Sequence, residues 1–179
     1  ELAMNGYYRL LNEDKLNRRN LITIIDFTLP SNKKRLWIID LDSQQVIQHS
    51  LVAHGRNSGN VFAKTFSNKK GSYQSSLGFY VTGDTYQGKH GLSLYLNGME
   101  PGINDRAIER AIVMHGANYV SREFIDKFGR LGRSFGCPAV PMAKHKAIIE
   151  TIKGGSCLFI YYPNEQYFKK SQLISPGAS

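Results

Sequence analysis

Seven short apolar runs divide the chain: Leu21 to Phe27, Arg35 to Leu41, Val46 to Ala53, Gly78 to Thr82, Gly91 to Leu96, Ala111 to Met114 and Cys157 to Tyr162. Each has the length of a β-strand, and none approaches the ~18 consecutive apolar residues of a membrane-spanning helix. Leu92, Leu94 and Leu96 alternate with Ser93 and Tyr95, the two-residue period of a strand buried on one face. Helical signals are fewer. Ser121 can cap a turn that carries Glu123, Phe124 and Phe128 and stops at Gly129. Ile148 and Ile152 share a face between Pro141 and Lys153, and Gly154-Gly155 ends that helix. A third short helix is expected from Asp105 to Arg110. The pattern predicts a mostly β, α+β domain with two or three short helices.

Composition narrows the function classes. With 23 basic and 14 acidic residues the net charge is +9, which favours anionic surroundings. The basic residues are scattered in doublets such as Lys33-Lys34 and Lys69-Lys70, without a long basic run or zinc-finger spacing, so no nucleic-acid partner is expected. No stable membrane insertion is expected either. No signal peptide is legible in "ELAMNGYYRL", and a targeting segment is expected to have been removed or to lie outside this sequence. Two cysteines, Cys137 and Cys157, make neither a disulfide framework nor a zinc site.

Chemistry concentrates in two places. "VMHG" ends an apolar run at His115, and "GRSFGCPAV" sets Cys137 between Gly136 and Pro138. A nucleophilic thiol needs a base and donors for the oxyanion that its attack creates. His115 supplies a base, and the Gly116 carbonyl can hold one of its nitrogens. The backbone N–H of Cys137, with that of Gly136 or Phe135, can form the oxyanion pocket; Pro138 has no N–H to give. Taken singly, a cysteine is most often a small buried hydrophobe, which is the expectation for Cys157. Spacing alone leaves both readings of Cys137 and His115 open. The segment from His54 to Leu77, rich in Ser, Asn, Gly and Lys, is long for a simple connection and reads as a lid or a surface excursion.

The order "HG … GRSFGCPAV" resembles the L,D-transpeptidase catalytic domain, the YkuD-like family of peptidoglycan cross-linking enzymes. The closest resemblance is to the subgroup whose cysteine loop reads Ser-aromatic-Gly-Cys-Pro-Ala. Further matches are "IDFTLPSNKKRLWIIDL", "VAHGRNSG", "SSLGFYVTGDTYQGKHGLSL" and "IKGGSCLFIYY", so the likeness runs from about Gly6 to Tyr162. It implies an L,D-transpeptidase-like β-sandwich and a single catalytic domain over 1–179, with 1–20 as an N-terminal extension and 163–179 as a C-terminal tail. It also implies Cys137 as nucleophile, His115 as base, Gly116 as its orienting carbonyl, and Gly136 and Phe135 in the oxyanion pocket. Arg133, Ser134, His90 and Tyr80 are the expected substrate-binding residues, Arg133 reading a substrate carboxylate. Two positions depart from the broad family: Phe135 stands where a histidine is usual, and Ala139 where an arginine or asparagine is usual. The implied partners are peptidoglycan stem peptides, with no metal or organic cofactor, and the implied location is extracytoplasmic. Competing readings are an L,D-carboxypeptidase, another cysteine peptidase or amidase acting on murein, and a non-catalytic wall-binding module.

Overall fold

A computed structural model describes residues 1–174. Eight strands form one ladder, in the order β3-β2-β1-β8-β4-β5-β6-β7. Their ranges are β1 Arg18–Asp26, β2 Leu36–Asp40, β3 Gln45–Ser50, β4 Gly78–Gly88, β5 Gly91–Gly98, β6 Val113–Ala117, β7 Ala139–Pro141 and β8 Ser156–Tyr161. Pairing is antiparallel except for β1 with β8 and β6 with β7. The ladder folds over so that its two ends meet: just past β3, the Ala53 N–H donates to the Ala139 carbonyl of β7 at 2.8 Å. The enclosed core includes Ile22, Ile25, Phe27, Leu36, Ile38, Phe79, Leu94, Met114 and Leu158.

Four short helices accompany the sheet: α1 Leu2–Asn12, α2 Arg122–Phe128, α3 His145–Ile152 and α4 Glu165–Lys170. The two inner helices match the sequence expectation. Ser121 Oγ accepts the Phe124 N–H at 3.1 Å, and Gly129 closes α2 in the left-handed region at φ 72°. In α3, Ile148, Ile149 and Ile152 are buried, although the helix starts four residues after Pro141, which is held in β7. The terminal helices were not anticipated. Residues 1–20 contain α1, which packs on β1 and β8, and the start of β1. Residues 163–174 contain α4 and the buried Leu173 and Ile174; 175–179 of the expected tail lie outside the described residues.

Two local expectations are corrected. Asp105 to Arg110 is a succession of turns, not a helix. The Asn104 side chain competes for local backbone bonds: its Oδ1 accepts the Glu100 N–H, and its Nδ2 donates to the carbonyls of Leu77 and Phe79. His115, expected at a strand end, is the central residue of β6, because β5 and β7 both pair there and extend the strand through Ala117. Its Cα partners are Ser93 on one side and Ala139 on the other.

Gly6 lets α1 lie on the sheet, since a Cβ there would sit 2.1 Å from a ring carbon of Phe79. Gly6→Ala should therefore lower the thermal midpoint. Overpacking costs about 1–3 kcal/mol, against the roughly 1 kcal/mol of helix propensity that alanine adds. An unchanged or higher midpoint would show that α1 can shift freely on Phe79.

Candidate active site

Cys137 immediately precedes Pro138 and β7, so the parallel β6–β7 pairing carries it beside the start of β6. Its sulfur accepts the Val113 N–H at 3.5 Å and donates to the Ala111 carbonyl at 3.5 Å. Ala111 has φ 54°, a conformation that costs an alanine about 1–2 kcal/mol, and it directs that carbonyl to the thiol. Val113 and His115 are two residues apart on β6, which places their side chains on one face. Cys137 and His115 line the same cavity, of about 660 Å³.

The imidazole of His115 is nearly buried and is oriented by its own chain. Nδ1 lies 2.9 Å from the Gly116 carbonyl. A carbonyl only accepts, so Nδ1 carries the proton and Nε2 keeps a lone pair. Burial holds the pKa below the ordinary imidazole value; the Gly116 bond opposes this, while the positive fields of His90, Lys89 and His145 add to it. Burial pushes the Cys137 thiol up, opposed by the Val113 N–H, by Arg110, by its own N–H and by Lys89. Both shifts favour the neutral forms, a thiol and an imidazole, over an ion pair.

Ser134 holds the cysteine loop closed on itself. Its hydroxyl donates to the Cys137 carbonyl at 2.6 Å and accepts the Gly136 N–H at 3.1 Å, while its N–H donates to the His54 carbonyl at 3.0 Å. Gly136, an expected oxyanion donor, thus has its N–H engaged by Ser134. His54 is fully buried: Arg35, itself fully buried, donates to its Nδ1 at 2.8 Å, leaving Nε2–H to face the Gly59 carbonyl at 3.3 Å. Burial and the adjacent Arg35 depress the His54 pKa to about 3, so it stays neutral. The Cys137 loop is anchored in the core through this chain of bonds.

The other expected residues separate. Arg133, Ser134, His90 and Phe135 line the cavity. Arg133 also donates from Nη1 to the carbonyls of Arg56 and Gly59, at 3.2 and 3.0 Å. The Phe135 ring is 60% exposed and packs 4.8 Å from Tyr73. His90 stacks on His115 with centroids 4.5 Å apart. Tyr80 does not reach the cavity. It points into the core, fully buried, with its hydroxyl on the Ser76 carbonyl, because its strand faces inward there.

Sequence reasoning missed Arg110, Lys89, Tyr86 and Tyr119, all on the cavity wall. Arg110 donates to the carbonyls of Ser67 and Gln74, both at 2.7 Å, and to the hydroxyls of Ser72 and Ser76. Its position just before "AIVMHG" was the available signal: a cation at the entry of the histidine strand. Those bonds also tie the 54–77 segment to the cysteine loop and to the entry of β6. Arg110 grips one side of it, the Ser75 hydroxyl donates to the Gly136 carbonyl at 3.1 Å, and the Arg56 N–H donates to the Ser134 carbonyl at 2.8 Å.

A thiol, an oriented imidazole and several cations around one cavity on a folded-over β-ladder define a candidate nucleophilic-cysteine site. The chain belongs to the L,D-transpeptidase catalytic domain family, whose model matches residues 1–161. Among solved structures it is similar to the helical cell shape determining protein Pgp2 of Campylobacter jejuni. The K307A mutant of that protein aligns over 92% of this chain and 57% of its own, with 12% identity and TM-score 0.54. A second Pgp2 structure aligns over 81% and 48%, with 13% identity and TM-score 0.51. An L,D-transpeptidase from Mycobacterium smegmatis aligns over 80% of this chain and 59% of its own, with 8% identity and TM-score 0.48. The chain thus spans about half to three-fifths of these structures. No curated protein matches it.

Cys137 should be alkylated in the native protein and Cys157 spared, since Cys157 is fully buried in β8 with its thiol pushed up to about 12. Peptide mapping after mild iodoacetamide treatment reads this, and labelling confined to Cys157 would refute it. Arg110→Gln should raise the apparent pKa of Cys137, because the lost cation favours thiolate. A shift of half to one unit would slow labelling at pH 8 about three- to tenfold. An unchanged pH profile would reduce Arg110 to a brace for the loop.

Proposed function

We propose that this chain is a peptidoglycan L,D-transpeptidase working through a thioester on Cys137, outside the cytoplasmic membrane where its polymer substrate lies. The observation that most supports this is the Gly116 bond at His115 Nδ1, which leaves Nε2 with a lone pair on a residue that lines the same cavity as Cys137. Among the described residues no helix is long and apolar enough to cross a membrane.

The donor is a tetrapeptide stem. Cys137 sulfur attacks the carbonyl at the L-centre of a diaminopimelate-type residue, forming the C–S bond as the thiol proton passes to His115 Nε2. Collapse of the tetrahedral intermediate breaks the C–N bond, and His115 returns the proton to the leaving D-amino acid. An amine of a second stem then attacks the thioester and restores the thiol. Water or a free D-amino acid in its place gives carboxypeptidase or exchange chemistry from the same intermediate. With Gly136 held by Ser134, the N–H groups of Cys137 and Phe135 are assigned to the oxyanion, and Arg133 to a substrate carboxylate.

Incubation with tetrapeptide stems, followed by mass spectrometry, should yield an acyl adduct on Cys137 and a cross-linked or exchanged product. No adduct with any stem, or identical products from Cys137→Ala, would overturn the assignment. His115→Ala should lower acylation about 10²- to 10⁴-fold, the usual worth of a positioned acid–base.

The pH profile carries a sign. Protonated His115 cannot accept the thiol proton, and its folded pKa lies below the ordinary value. The acid limb of kcat/KM should therefore fall below about 6.5. A limb above pH 7 would contradict His115 as the base.

A further inference from the structure

A second cavity, of about 650 Å³, lies on the other side of the β4–β5 turn and shares Lys89, His90 and Tyr119 with the nucleophile's cavity. Its charged and titratable lining residues are Lys89, His90, His145, Lys146 and Tyr119, and no carboxylate lines it among the described residues. One buried group there is incomplete. His145 is 6% exposed, and its Nδ1 lies 2.7 Å from the Met142 carbonyl, so that nitrogen carries a proton. Its Nε2 has no hydrogen-bond partner among the described residues. A buried polar atom left unpaired is destabilising, so a nitrogen of this kind is a place where a ligand gains affinity by completing it.

Two glycines keep that ring open to the cavity. Gly116 lies under it, where a Cβ would sit 2.7 Å from the ring carbon Cγ. Gly91, at φ 77°, bears no side chain at a point 3.7 Å from Nε2 and also lines the cavity. With the proton on Nδ1, His145 keeps a lone pair on Nε2 that accepts a hydrogen bond, and the lysines of the turn and of α3 add positive charge from two directions. The complement of that set is an N–H donor beside a carboxylate, the two groups that an N-acylated amino-acid end presents together.

We propose that this cavity is a carboxylate-binding subsite, in which His145, Lys89 and Lys146 hold an anionic end of the peptide substrate across the His90–His115 stack from the nucleophile. The proposal rests on the reading that this chain acts on anionic stem peptides. It also ties binding to catalysis, since the same turn and helix that build the subsite place positive charge around His115. A carboxylate there offsets that charge and makes His115 a better proton acceptor.

The test uses the wild-type chain and imidazole NMR. N-acetyl-D-alanine represents the leaving end of the donor and Nα-acetyl-diaminopimelate the second stem; each is titrated beside its carboxamide. A saturable shift of the His145 ring with one acid, and none with its amide, is expected, and which acid acts identifies the source. Lys89→Gln and Lys146→Gln, both on the surface of the fold, should each weaken that binding about tenfold. An equal response to acid and amide, or no response to either acid, overturns the subsite, as does unchanged binding in both lysine variants. Turnover is scored separately. A saturable, acid-specific shift without turnover on any stem would retain the subsite and refute the transpeptidase reading, and turnover without a shift would do the reverse.

Discussion

The bond from the Ala53 N–H to the Ala139 carbonyl is the constraint on which the site depends. Strand β7 has only three residues, too few to hold a position by itself. It is fixed because β6 pairs with it on one side and the chain past β3 closes on it from the other. That closure joins the two ends of an eight-stranded ladder and sets Pro138 and Cys137 beside the first residues of β6. Chemistry at the cysteine therefore inherits its geometry from the whole sheet.

Charge is distributed to match. Arg35, Arg110, Arg133, Lys89 and Lys146 stand on or behind the two cavities, and the ion pairs of the described residues lie elsewhere on the surface. Among the described residues buried Arg35 makes no carboxylate ion pair; it is held by the carbonyls of Leu29 and Val52 and by neutral His54. Burial lowers its pKa to about 9. Such a site has a positive potential before any substrate arrives, and low-dielectric walls strengthen it.

Much of this was legible in the chain. Strand-length apolar runs gave the mostly β class, and Ser121 and Gly129 gave both ends of α2, because capping is local chemistry. The pairing of Gly116 with His115 Nδ1 was also readable, since both atoms belong to adjacent residues. What escaped was non-local. Arg110 looked like one scattered cation among many, and only the fold brings it to Ser67, Ser72, Gln74 and Ser76. Tyr80 and Ser93 both lie within strands, yet Tyr80 packs in the core and Ser93 lines the cavity. Helix α1 was hidden because its one buried stripe is built around a glycine, Gly6, whose worth is set by Phe79 far along the chain.

The two cysteines carry a consequence for biogenesis. In an oxidising compartment an unfolded chain can join Cys137 to Cys157, and that disulfide would consume the thiol that lines the cleft. Thiol–disulfide exchange needs an accessible thiolate. Strand β8 places Cys157 opposite Ile22 of β1 and Val81 of β4, closed from solvent on both sides. The seating of that central strand therefore acts as a redox checkpoint: before it, the chain has two competent thiols; after it, only the one in the cleft.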